Sequence, residues 1–120
     1  MSVSPAKAVA LLTERLQLSA RERRRLAVEI RQSLPALTDL LVGEFGVQRV
    51  ILFGSVARGR AHSDTDLDLA VEGLPAERYF EALARCADVA GRNVDLVPVE
   101  EATPQLLRII SEKGEVLHAD

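Results

Sequence analysis

Aromatic side chains are scarce: 120 residues include no tryptophan, one tyrosine and three phenylalanines. A platform on which successive bases of a single strand stack needs several such rings, so the composition argues against direct nucleic-acid binding of that kind. Cysteine is equally sparse. Cys86 stands alone, with no C-x-x-C partner, and reads as a buried or half-buried helix residue. Without disulfides the chain must rely on its core, and a chain of this length buries roughly two-thirds of the surface it exposes when unfolded. No stretch reaches the roughly 18 apolar residues of a membrane span, and the opening Met-Ser-Val-Ser-Pro-Ala-Lys lacks the apolar run of a signal peptide. No membrane partner and a cytoplasmic location are therefore expected. There is no repeat, low-complexity tract or linker-like stretch, and one core is the working expectation.

What is present is ordinary globular composition, 48% hydrophobic and 28% charged, with a net charge of −3. The small net value conceals a split. Residues 1–60 hold 10 Lys/Arg against 5 Asp/Glu, and residues 61–120 hold 5 against 13. Part of the basic excess is the run Arg21, Arg23, Arg24, Arg25 and Arg31. This is either a solvated helix face or a docking surface for an acidic partner or RNA.

The hydrophobic periodicity predicts a helix from Pro5 to about Leu16, on Ala8, Val9, Leu12 and Leu16. Ser19-Ala-Arg-Glu22 has the capping-box pattern and predicts a fresh start for a second helix carrying Leu26, Ile30 and Leu34. A third follows Pro35 through Leu37, Leu40, Leu41 and Phe45, closed by Gly46. The period then changes. Val47 to Phe53, Asp66 to Glu72 and Asn93 to Val99 read as strands, and Glu115 to Leu117 as an edge strand. Residues 75–90 predict a helix with Phe80, Leu83 and Ala87 on one face, and Pro104 to Lys113 a last one ended by Gly114. Tyr79, at the start of the fourth helix, reads as a packing residue. The expected fold class is α+β, close to α/β: a small mixed β-sheet packed by helices, with an N-terminal helical extension.

The chemistry concentrates where a strand stops. Gly54-Ser55-Val-Ala-Arg58-Gly59 directly follows an apolar strand. A Gly-Ser turn opening a short helix presents free backbone N–H groups and a hydroxyl, a cradle for phosphate, although the same turn occurs as an ordinary helix cap. Asp66 and Asp68 lie two apart in a strand, so both leave one face, about 7 Å apart along the backbone. Two like charges on one face repel, and a divalent cation is the simplest partner that relieves them. Asp95, between Val94 and Leu96, adds a third strand carboxylate. Three carboxylates on one face make a site for two metal ions, the arrangement used for in-line phosphoryl or nucleotidyl displacement. Asp64 reads as a loop or capping residue, and His62 lies in the loop between the cradle and the D-x-D pair.

Together, G-S-V-A-R-G at 54–59, T-D-L-D-L at 65–69 and V-D-L at 94–96 resemble the minimal nucleotidyltransferase (MNT) domain of the polymerase-β-type nucleotidyltransferase superfamily. The resemblance covers roughly residues 35–118; Thr65 stands where the family pattern usually has Ser. It implies a nucleotidyltransferase unit over 35–120 behind a helical extension at 1–34. It also implies an enzyme, an antitoxin that transfers AMP from ATP to a tyrosine of a HEPN-domain ribonuclease toxin. On this resemblance Gly54, Ser55 and Arg58 hold the nucleotide's phosphates. Asp66, Asp68 and Asp95 are the catalytic carboxylates and hold two Mg²⁺ ions. With no second domain to grip an acceptor, the chain is expected to borrow one from a partner or from another copy of itself. Two further readings remain: a non-catalytic antitoxin acting by occlusion, and a transferase acting on an aminoglycoside-like molecule with the help of a second subunit.

Overall fold

A computed structural model describes the backbone of residues 5–61 and 65–120, and their side chains except at residues 10–19. The predicted positions of Asp64 and His62 lie outside the described residues.

The chain opens with helix α1, Pro5–Arg31, followed by α2, Leu34–Gly43. The two helices expected before residue 34 are therefore one. Gln17, Leu18, Ser19 and Ala20 include no glycine or proline, so nothing interrupts the backbone ladder, and a capping pattern inside a helix has no free N–H to satisfy. The arginine run lies on this helix. Arg25 pairs with Glu29 one turn on at 3.7 Å, and Arg31 reaches across to Glu115.

Among the described residues four strands follow, with a single helical turn, α3, Gly54–Ala57, after the first: β1, Arg49–Phe53; β2, Leu67–Glu72; β3, Val94–Pro98; and β4, Glu115–Ala119. They form one mixed sheet in the order β3-β2-β1-β4. β1 runs antiparallel to both of its neighbours, and β2 runs parallel to β3. The parallel pair needs a crossover, which α4, Tyr79–Ala90, supplies after a short 3₁₀ turn at Ala76–Arg78. A second 3₁₀ turn, Val99–Glu101, leads to α5, Pro104–Lys113. Thr103 caps α5 by accepting the Leu106 N–H at 3.2 Å, with Pro104 in the first turn where its missing N–H costs nothing. β4 extends beyond the expected edge strand to include His118, whose Nε2 lies 3.1 Å from Asp120 Oδ1.

Alternation along the strands divides the apolar side chains between two faces. Val50, Leu52, Leu67, Leu69, Val71, Val94 and Leu96 join Leu37 and Leu41 of α2 and Ala27 and Ile30 of α1 in the main core. Ile51, Phe53 and Ala70 face the other way and pack against Ile110 of α5. That second contact is close: a Cβ at Gly114 would run into Ile110 O and Ile51 Cγ2.

Ala82 and Cys86 are the buried residues of α4, whereas Phe80 is 80% exposed. The N-terminal end of α4 is anchored by Arg78. Its guanidinium lies 4.2 Å from the Phe45 ring centroid, donates to Glu44 O at 3.0 Å and pairs with Glu81. Tyr79 packs as expected, against the main core, with its hydroxyl donating to Leu96 O at 2.7 Å.

Candidate functional site

The C-terminal end of β1 meets the N-terminal ends of β2 and β3, and the sequence-predicted residues gather there. Phe53 is the last extended residue of β1, at φ −140 and ψ −178. Gly54 follows at φ +80, a left-handed conformation that disfavours any side chain, and a single helical turn, α3, Gly54–Ala57, begins at once. A second constraint falls on the same residue. A Cβ at Gly54 would occupy the place of the Asp68 carboxylate. Glycine here lets the turn and the carboxylate share one small volume. Ser55 N–H lies in the first turn, where no intrahelical acceptor is available, while its carbonyl accepts from Arg60 N at 2.8 Å and so tightens the loop.

Phe53 pairs with Asp68 across the antiparallel β1–β2 ladder, and Asp68 lies in register with Asp95 across the parallel β2–β3 ladder. Residues in register on adjacent strands are separated by about 4.8 Å, close enough for strong repulsion between two carboxylates. The effect is visible on Asp68. Partial burial, then the charges of Asp95 and Asp66, push its pKa from 3.8 to about 6, with Arg58 pulling the other way. Asp66, Asp95 and Arg58 are exposed around it. All six sequence-predicted residues, Gly54, Ser55, Arg58, Asp66, Asp68 and Asp95, thus belong to one end of the sheet.

Among the described residues, no three His, Cys, Asp or Glu side chains form a ready-made metal cage. The carboxylates nevertheless fit magnesium, which is held by one or two carboxylates together with water and substrate phosphates rather than by an all-protein shell. The repulsion from Asp95 and Asp66, which adds to burial in raising the Asp68 pKa, is what a bound cation would relieve.

Two supports were not read from the sequence. Arg92 Nη1 donates to Thr65 O at 3.0 Å, and Leu67 N donates to Asn93 O at 3.0 Å, so the D-x-D segment is pinned to the entry of β3. Arg92 sits in a turn with no motif around it, and only the parallel pairing brings it to residue 65. Beside the carboxylates runs a groove of about 560 Å³, with Asp66, Asn93 and Asp95 on one wall and Phe80, Leu83 and Ala84 of α4 on the other.

The model of the polymerase beta nucleotidyltransferase family matches residues 36–120. No curated protein matches the chain in sequence. Among solved structures, a minimal nucleotidyltransferase is 29% identical with a TM-score of 0.65, over 74% of this chain and 93% of that one. A chain of a toxin–antitoxin crystal structure with AMP-PNP is 26% identical with a TM-score of 0.63, over 71% and 73%. The Shewanella oneidensis complex of a tri-AMPylated HEPN toxin with an MNT antitoxin shares the fold at 23% identity, with a TM-score of 0.62 over 76% and 73%.

Proposed function

The chain belongs to the polymerase-β nucleotidyltransferase family, and on that premise we propose that it transfers AMP from ATP to a tyrosine hydroxyl of a HEPN-domain toxin and so acts as its antitoxin. The observation that carries this reading is the meeting of the Gly54–Ser55 turn with Asp66, Asp68 and Asp95 at one end of the sheet. The solved toxin–antitoxin structure with AMP-PNP supports ATP as the nucleotide, and the tri-AMPylated HEPN toxin complex supports the acceptor class. Residues 35–120 are the catalytic unit, residues 1–34 its helical extension, and the cytoplasm its compartment.

In this reading Ser55 and the Gly54 turn hold the terminal phosphates through N–H groups and the Ser55 hydroxyl, and Arg58 offsets their charge. Asp66, Asp68 and Asp95 would hold two Mg²⁺ ions, which supply charge neutralisation on the phosphates when bound. The acceptor oxygen forms a bond to the α-phosphorus as the bond to the bridging oxygen breaks; pyrophosphate leaves, and Asp95 helps to take the hydroxyl proton. The chain's contribution is mostly positioning and fixed charge.

The test is incubation of the chain with Mg²⁺, α-labelled ATP and a purified HEPN toxin, with Asp66→Ala and Asp68→Ala alongside. Label on the toxin that is lost in both folded variants is the expected result. Tight binding without label identifies an occluding antitoxin and refutes the transferase reading.

A further inference from the structure

α4 has two sides of different character. Ala82 and Cys86 face the core, while Phe80, Leu83, Ala84 and Ala87, at the i, i+3, i+4 and i+7 spacing of one helical stripe, line the groove beside Asp66 and Asp95. Phe80 is the most exposed large apolar side chain among the described residues. It is not loosely held. The Tyr79 ring meets it edge-on, with centroids 5.3 Å apart and planes at 82°, and Tyr79 is itself fixed by its bond to Leu96 O. An exposed aromatic beside a groove, backed by a second ring, has the character of a hot spot at a protein interface.

On its other side Phe80 borders a second hollow of about 410 Å³, with Leu74, Tyr79, Pro98, Glu100 and Glu101. Glu100 accepts the Gly73 N–H at 2.9 Å; Glu101 is exposed, and among the described residues no Lys or Arg lines the hollow. An aromatic and apolar hollow with two carboxylates complements a cationic side chain and repels the phosphates of a nucleotide. Both hollows border Phe80, and one of them is lined by Asp66 and Asp95.

We infer that Phe80 and the hollows flanking it are the docking surface for the acceptor protein. An apolar side chain of the acceptor enters the groove at Leu83 and Ala84, and an Arg or Lys lies over Glu100 and Glu101. The acceptor hydroxyl is thereby delivered to Asp66 and Asp95. This rests on the transferase reading above and adds the surface by which the acceptor is chosen.

The experiment uses the full chain, a purified HEPN toxin as probe, and the variants Phe80→Asp, Phe80→Leu and the double variant Glu100→Gln/Glu101→Gln. Phe80→Asp is expected to weaken toxin binding at least tenfold while a fluorescent ATP analogue binds within twofold of the unaltered chain; Phe80→Leu is expected to recover most of the toxin affinity. The double variant is expected to bind the toxin more weakly and with a flatter dependence on salt. Unaltered toxin affinity in Phe80→Asp overturns the proposal. So does a change in oligomeric state in that variant without loss of toxin binding, which would give the surface to a second copy of the chain. Label transfer is scored separately: failure of the transferase reading leaves every variant unlabelled, whereas failure of the docking surface leaves Phe80→Asp fully active.

Discussion

Asp68 stands in register with Asp95 on the adjacent parallel strand, and Gly54 leaves open the space its carboxylate fills. One side chain therefore links the turn, the D-x-D pair and the third carboxylate, and its environment governs several measurable properties.

Gly54→Ala should abolish transfer and lower the melting temperature. The substitution imposes a left-handed backbone on a Cβ and drives that Cβ into Asp68, for a cost of roughly 1–3 kcal/mol. Gly43→Ala is the control. That residue ends α2 with nothing within 4 Å of a built Cβ, so the substitution should be neutral or stabilise by up to about 1 kcal/mol. Thermal melts and labelled transfer on both variants check this.

A carboxyl whose folded pKa is raised, from 3.8 to about 6, favours the fold while it is protonated; that contribution is complete below about 3.8 and is lost as pH rises through about 6. In the absence of metal, Asp68→Asn should therefore melt higher than the unaltered chain at pH 7.5, and the difference should vanish near pH 4. Because Asp68 is only half-buried, solvent screening reduces the gain to on the order of 1 kcal/mol. Equal melting temperatures at pH 7.5 would contradict the expected repulsion. Mg²⁺ should raise the melting temperature of the unaltered chain at pH 7.5 and do less for the variant.

Arg92→Ala should lower the rate of transfer without altering the overall fold, since Arg92 holds the Thr65 carbonyl and touches none of the carboxylates. A loss of about tenfold is expected, with a smaller loss for Arg92→Lys, which retains a donor. Kinetics with far-ultraviolet circular dichroism distinguish misplacement from unfolding.

Burial pushes the Cys86 thiol up to about 11, so it carries almost no thiolate at neutral pH. Iodoacetamide at pH 8 should label the folded chain far more slowly than the chain in denaturant, a contrast readable by mass spectrometry. Rapid labelling of the folded chain would place the thiol nearer the surface.

Much of this fold was legible because strand and helix periods alternate cleanly. Val47 to Phe53, Asp66 to Glu72 and Asn93 to Val99 contain β1, β2 and β3, and Gly114 marks the end of α5. The site residues were legible for a related reason: aspartates at alternate strand positions beside a glycine turn conflict with strand propensity unless they have a use. Other features depend on pairing across the chain. Nothing local to Arg92 signals Thr65, and nothing near Gly54 signals that Asp68 would fill its missing side chain. That Phe80, Leu83 and Ala87 share one face of α4 followed from their helical spacing, but which face meets the core did not: Ala82 and Cys86 are buried, and Phe80 is exposed. Ser19 shows a different error, a local helix-start signal overridden by uninterrupted helix formers on both sides.

The sheet order places β1 between β2 and β4, so the strand that ends in the Gly54 turn acquires its second neighbour only when residues 115–119 arrive. Closing so long a loop is an entropic cost that local contacts cannot offset. The nucleotide turn is thus built on a strand whose second partner lies far downstream of it, and a nascent chain should acquire transferase competence only once residues 115–119 have been made.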